Sequence, residues 1–406
     1  MTPWARAGGR ISRFHVSLTV AGLGMGMTGS LTAVYAKALG ASDTAAGVAV
    51  ASISVSLLVV DVLGTRVVPS LDSRLSISLA LAIFGVGSLA SAAAPTYAWM
   101  VAARVFQGAG AALFMTGGLQ AAVRMSEPGR EGRAVGAFNM AFFLGVASGP
   151  LLSAVVSEVR PGLDGLRAAF AVCALTNLVA AVLCRLGLPS MPTGLRPRLA
   201  LPPLGLLARP RLGAVLLLGA FGQAVQVGIP FTMIPLLATD RLGLPVPALS
   251  AALSVLAVSN IIAMSLAGRA SDRVGRLWGL LPALVWGAGV LVLTGRAAGL
   301  GPFVICCAAI GVTVGSVVVV PAAMVVDLAA DRTAAISGYR ISADLGQLAG
   351  AAGAGALFGA VGPSGALDVA AAGLFLAGVL VAATGDTSRC PANTVQVPAE
   401  GPLRRA

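Results

Sequence analysis

Apolar runs of about twenty residues follow one another along almost the whole chain, separated by short polar connections. They lie at roughly 14–36, 45–65, 75–94, 97–121, 134–157, 167–187, 212–238, 248–268, 278–295, 302–328, 335–360 and 365–384. At 1.5 Å of rise per residue, a helix of about 20 residues crosses the ~30 Å hydrocarbon core of a bilayer. No water is available there to backbone N–H and C=O groups, so each run must be a helix that satisfies its own hydrogen bonds. Only 10% of the 406 residues are charged, with a mean hydropathy of +0.92, where a soluble domain has about 25%. The runs are too continuous for the short alternating strands of a membrane barrel. The fold class is therefore all-α and polytopic, with twelve transmembrane helices.

The formal net charge is +12. Nucleic acid is not the partner it implies, because the arginines sit in short loops between apolar runs. With the N-terminus inside, twenty Arg fall in the inner segments and five Lys or Arg in the outer ones, and the remaining two, Arg104 and Arg340, lie within spans. That bias places both termini in the cytoplasm of a plasma-membrane protein. Arg6, Arg10 and Arg13 before the first run resemble a signal-peptide leader, with Ala36 and Ala38 as a passable small-residue site. An uncleaved first span is the better reading. Residues 1–187 form one six-helix half and 212–385 the other. The Pro- and Arg-rich stretch 188–211 is the cytoplasmic linker, and 386–406 is a polar, disordered tail.

Several chemistries are absent. Cys173, Cys184, Cys306, Cys307 and Cys390 make no C-x-x-C spacing, and His15 is the single histidine, so no metal site or hydrolytic triad is expected. No G-x-x-x-x-G-K-S/T loop occurs, so ATP does not drive the protein. No cofactor is expected, and the chain is not read as an enzyme.

The halves repeat. Ala134, Leu144, Gly145 and Gly149 correspond to Ala335, Leu345, Gly346 and Gly350 at an offset of 201. Gly40 corresponds to Gly243 at 203, and Gly64 to Gly268 at 204. Offsets this consistent imply a duplicated six-helix unit, the layout of many secondary transporters whose substrate site lies between the halves.

Three stretches resemble one family. Gly268, Asp272, Arg273, Gly275 and Arg276 match the G-x-x-x-D-R-x-G-R loop of the major facilitator superfamily. Arg104, Gln107, Gly108 and Gly110 match its R-x-x-Q-G-x-G motif. Gly136, Gly145, Gly149 and Pro150 resemble the motif associated with its antiporters, especially the drug:proton exporters. The resemblance covers residues 11–385. It departs at the loop after span 2, where Val68 stands at the acidic position, at Ser153 and Ala154 in place of a glycine pair, and in span 1, which has no acid.

The residues carry distinct expectations. Gly145, Gly149 and Pro150 form a close-packed pivot, since glycines admit a neighbouring backbone and proline removes a donor. Gly268, Asp272, Arg273, Gly275 and Arg276 form a cytoplasmic gate. Arg104 is a full charge inside a span and must face a cavity or a partner. Arg340, Asp344 and Gln347 share one helix face by their i, i+4, i+7 spacing, with Asp344 as the titrating group and Arg340 as its partner. A self-satisfied structural pair is the competing reading. Arg104, Arg340 and Asp344 are thus the candidates for proton coupling. Gln107, Asn139, Gln223, Gln226 and Gln347 are candidates for the substrate cavity, although interhelical hydrogen bonds are the commoner use of such residues. Asp61 and Asp327, near span ends, are given low priority.

Together these readings describe a monomeric secondary transporter in a lipid bilayer, exchanging protons for a small hydrophobic or amphipathic compound. The alternatives are an importer or facilitator of a polar metabolite, and a non-transporting membrane scaffold or sensor.

Overall fold

A computed structural model describes residues 3–63, 72–126, 130–190, 210–328 and 332–384. The linker between the halves, the tail, and the loop holding Gly64 and Val68 lie outside the described residues, apart from the ends of the linker at 188–190 and 210–211. The described chain is helical, with no strand among the described residues. The helices are α1 (Pro3–Ala38), α2 (Asp43–Leu63), α3 (Ser73–Ala92), α4 (Tyr97–Arg124), α5 (Glu131–Val159) and α6 (Leu163–Gly187). They continue as α7 (Pro210–Gly228, prolonged to Arg241), α8 (Val246–Val274), α9 (Arg276–Thr294), α10 (Leu300–Leu328) and α11 (Arg332–Thr384).

Among the described residues eleven continuous helices are long and apolar enough to cross a membrane, where the hydropathy pattern predicts twelve spans. The difference lies in α11, whose 53 residues are interrupted at Gly362, with φ 73° and ψ 175°. Only glycine adopts that conformation without strain, and Pro363 follows it. Gly346 before the break and Gly373 after it lie against Ala220 and Phe221 of α7. The chain therefore doubles back, and α11 has a first arm (332–361) and a second arm (363–384).

Glycine decides which helices meet most closely. Gly145 and Gly149 on α5 press on the backbone of α1: a Cβ there would lie 2.8 Å from the Leu23 nitrogen and 2.6 Å from the Met27 nitrogen. Gly346 and Gly350 on α11 press on α7, where a Cβ would lie 2.6 Å from the Ala220 carbonyl carbon and 2.7 Å from that of Ala224. α5 runs helical through Pro150. Proline cannot donate to the carbonyl of Val146 four residues back, and that oxygen sits against Gly26 of α1, where a Cβ could not fit. The hinge residues thus form a tight helix contact rather than a visible break.

α7 departs from α-helical winding at Ile229–Met233 and again at Leu237–Arg241, where the turns are π-helical. Pro230 and Pro235 remove donors in this stretch. α2 runs along the first arm of α11, and α5 runs along α8. Gly47 and Gly355 bring the first pair together: a Cβ on Gly47 would lie 2.8 Å from the Gly355 Cα. At that same end Lys37 bonds Asp43 at 2.6 Å and Asp240 at 3.1 Å, tying α1, α2 and α7 together.

Candidate functional site

A cavity of about 330 Å³ lies at the centre of the bundle, walled by α1, α2, α3, α4, α5, α7, α8 and the first arm of α11. Met25, Phe84, Met115, Phe142, Phe143 and Phe231 give it an apolar surface, and Pro150 and Pro230 contribute to its wall. Its polar groups are few: Thr28, Ser30, Arg104, Gln226, Asn260 and Gln347.

Arg104 is 3% exposed. Its motif explains how it is held. Arg104 Nη1 donates to Gln107 Oε1 at 2.8 Å, and Gln107 Nε2 donates to Ser88 Oγ on α3 at 2.7 Å. Gly108 faces Ile53 of α2, and Gly110 faces Ala80 and Phe84 of α3. The two glycines admit neighbouring backbones while Gln107 aims the guanidinium. The partner is neutral, and Arg104 Nε has no hydrogen-bond partner. Membrane insertion scales set the cost of a centrally placed charge at about 2.5–3.5 kcal/mol, and a single bond to a neutral glutamine stands against it.

The candidate cavity residues separate in the structure. Gln226 and Gln347 line the cavity. Gln347 Nε2 donates to Gln223 Oε1 at 3.3 Å, so Gln223 supports the wall from behind. Gln107 is fully buried behind Arg104. Asn139 does not line the cavity; Asn260 of α8 does. Asn260 is recognisable in the sequence as a polar residue inside an apolar run, but nothing there separates it from Asn139 and Asn177.

The pairing of Arg340 with Asp344 requires correction. Arg340 reaches off its own helix: Nε donates to Asp61 Oδ2 at 2.8 Å and Nη2 to Asp61 Oδ1 at 2.9 Å. The contact is bidentate and joins the first arm of α11 to the end of α2. Nη2 also lies 3.4 Å from Thr116 Oγ1 of α4. Spacing of i, i+4 sets two residues on one face, but a long guanidinium can turn to an adjacent helix. Asp344 is 6% exposed, lies within hydrogen-bonding reach of Asp61, and leaves Oδ2 unpartnered. Asp61, Arg340 and Asp344 form one cluster across two helices.

The loop between α8 and α9 is organised by Arg276. It bonds Asp327 at the end of α10 at 2.8 and 3.4 Å, Ser271 at 3.0 Å, and Asp272. Asp327 is therefore the residue that ties this loop to a third helix. Gly275 makes the turn between α8 and α9 with φ 101°, a conformation open to glycine. Arg273 is exposed, and Gly268 sits 3.6 Å from Val319 measured from an added Cβ. These bonds join α8, α9 and α10 to one another.

A second hollow, of about 460 Å³, lies between α7 and the first arm of α11. It holds no charged side chain, and Leu217 and Leu345 on its rim are largely exposed, as befits a face turned to lipid.

Apolar helices around a central cavity with buried charges define a membrane transporter rather than an enzyme. The sequence profile of the Major Facilitator Superfamily matches residues 14–281 and 216–400, and the chain belongs to that family. It is 24% identical over 225 residues to an uncharacterized MFS-type transporter, YbcL, of Bacillus subtilis (strain 168); the match spans 55% of each protein. The fold is similar to that of a bacterial homologue of the human lysosomal transporter Spinster in an inward-facing and occupied conformation. That likeness has a TM-score of 0.73 and 14% identity, covering 96% of this chain and 98% of the other. It is also similar to the human organic anion transporter MFSD10 (TETRAN), with a TM-score of 0.66 and 16% identity over 94% and 100% of the two chains. At such identities the likeness concerns the fold.

Proposed function

We propose that this transporter exports a small hydrophobic or amphipathic compound in exchange for protons, by alternating access. The observation that carries this reading is the Asp61–Arg340–Asp344 cluster. Two carboxylates and one guanidinium share a site between α2 and α11. With both acids ionised the cluster holds one net negative charge, and a proton on either acid removes it. A proton would thereby change the attraction between two helices from opposite ends of the chain.

Twelve crossings in two six-helix halves suit this mechanism. The reversal at Gly362 supports counting α11 as two crossings. The repeat is supported by paired contacts: Gly145 meets Thr19 and Gly346 meets Ala220, both members displaced by 201. Gly40 and Gly243 both have positive φ, 86° and 59°. The halves then rock about the glycine contacts of α1 with α5 and of α7 with α11, and Gly145, Gly149 and Pro150 serve as the pivot on the first side. Both termini face the cytoplasm of the plasma membrane, following the arginine bias. Asp272, Arg276 and Asp327 hold the cytoplasmic loop of the second half, and the protein works as a monomer. The sparse polar lining supports an apolar or amphipathic substrate over a sugar or phosphate.

Purified protein in sealed vesicles with an imposed proton gradient tests the proposal on a panel of dyes and antibiotics. Flux that follows the gradient is expected. Uptake of a polar metabolite, with no gradient-dependent flux of any panel compound, would overturn it.

A further inference from the structure

We infer that the substrate carries a carboxylate on an apolar body and that Arg104 binds it. This rests on reading the central cavity as the transport site. Arg104 lines that cavity while 97% buried, the complement of its 3% exposure. Its Nη1 donates to a neutral amide, and its Nε has no hydrogen-bond partner. Three other arginines at helix contacts are matched by acids: Arg340 by Asp61, Arg276 by Asp327 and Asp272, Arg296 by Asp368. Among the described residues no ion pair includes Arg104.

Among the described residues no acid stands in place to supply one. Neither α3 nor α4 contains Asp or Glu. α2 and α5, which also pack on α4, carry acids only near their ends: Asp43, Asp61, Glu131 and Glu158. Of these, Asp61 is engaged twice by Arg340, and Asp43 by Lys37. The guanidinium is also preorganised. Ser88 fixes Gln107, and Gln107 fixes Arg104, so little side-chain freedom remains to be lost on binding. The planar guanidinium fork matches the two oxygens of a carboxylate. Apart from the hydroxyls of Thr28 and Ser30 and the amides of Gln226, Asn260 and Gln347, the rest of the wall is aromatic, sulfur-bearing or aliphatic. The complementary molecule has one acidic head, an apolar body and few other polar groups.

The test uses two sets of matched probes on the purified full-length protein. One is 4-phenylbutyrate, 4-phenylbutanamide and 4-phenylbutylamine; the other is 2-naphthylacetate, 2-naphthylacetamide and 2-naphthylethylamine. Equilibrium dialysis should show each carboxylate bound more than about tenfold tighter than its amide, with the amine weakest. Arg104→Gln should erase the difference between acid and amide, and Arg104→Lys should retain part of it. If neither variant folds, the ranking of the six probes on the unaltered protein decides. Equal binding of acid and amide, tighter binding of the amine, or no binding by any probe overturns the inference. Vesicle flux separates this outcome from the broader reading. Gradient-driven flux without carboxylate preference removes the anion site and leaves the transporter. Carboxylate preference without gradient-driven flux of any compound leaves the site and removes proton-coupled export.

Discussion

Two arginines lie within membrane-spanning helices of this protein and are matched in opposite ways. Arg340 makes a bidentate contact with Asp61, with Asp344 close by, and its side chain is 38% exposed. Arg104 is almost fully enclosed and hydrogen-bonds a neutral glutamine. A charge that the protein itself neutralises can hold two helices together and release them when protonation changes. A charge left without a counter-ion beside a cavity calls for a ligand. We therefore assign Arg340 to the conformational machinery and the buried Arg104 to recognition, although both read alike in the sequence as an arginine inside an apolar run.

The strongest way to break this comparison is to remove a partner from each. Asp61→Ala removes both bonds that Arg340 makes to a carboxylate and leaves Asp344 as its one acidic neighbour in the cluster. Losing one member of a buried pair costs about 3–5 kcal/mol, and the partial exposure of Arg340 brings this toward about 1–3 kcal/mol. The Tm in detergent should fall clearly, and Asp61→Ala with Arg340→Leu should recover most of it. Arg104→Met strands no acid. It costs Gln107 one hydrogen bond, about 1 kcal/mol, and relieves an unmatched charge, so its Tm should hold or rise. Equal losses in the two variants would mean that the arginines play the same structural part.

Next in size is Asp344→Asn. It keeps the shape and removes the second carboxylate, so that one carboxylate, Asp61, faces one guanidinium, Arg340. Transport should lose its dependence on the proton gradient while the Tm changes little. Flux measured against an imposed gradient checks this, and retained dependence would move the titrating role off Asp344.

Much of this arrangement can be read from the chain, because bilayer thickness sets helix length and glycine spacing sets helix approach. The apolar runs, Arg104 with Gln107, and the repeat of Gly145 and Gly149 at Gly346 and Gly350 are local patterns of that kind. The link between Asp61 and Arg340 is not local: 279 residues separate them. Spacing within one helix favours Asp344 as the partner, and only the packing of α2 on α11 brings Asp61 nearer to the guanidinium. Asp327 escapes for the same reason, since its partner Arg276 lies 51 residues earlier. Gln107 and Gln226 look alike in sequence, yet one stands behind the wall and one forms it. Helix rotation decides that, and a helix that is apolar on most faces has little periodicity to reveal its rotation.

The glycine contacts carry the comparison to the helices beside each arginine. Gly145→Ala and Gly346→Ala each push a methyl group into backbone that cannot yield as a side chain would. Overpacking of this kind costs about 1–3 kcal/mol. Both variants should lower the Tm by similar amounts, since the contacts at Thr19 and Ala220 are equivalent. A large inequality would sharpen the picture by showing which helix pair is the more rigid.

Pro150→Ala should have the smallest effect and is the most discriminating between bending and titration. Alanine restores a donor to the Val146 carbonyl, so α5 gains a hydrogen bond of about 1 kcal/mol and loses compliance. The carbonyl now accommodated by Gly26 would be drawn back into the helix ladder. Stability should rise slightly and the rate of transport should fall. The dependence of flux on the proton gradient should be unchanged, because Pro150 belongs to α5, whereas the acidic cluster joins α2 to α11. A shift in that dependence would mean that the α1–α5 contact and the acidic cluster move as one unit, and the separation between the two arginines would no longer hold.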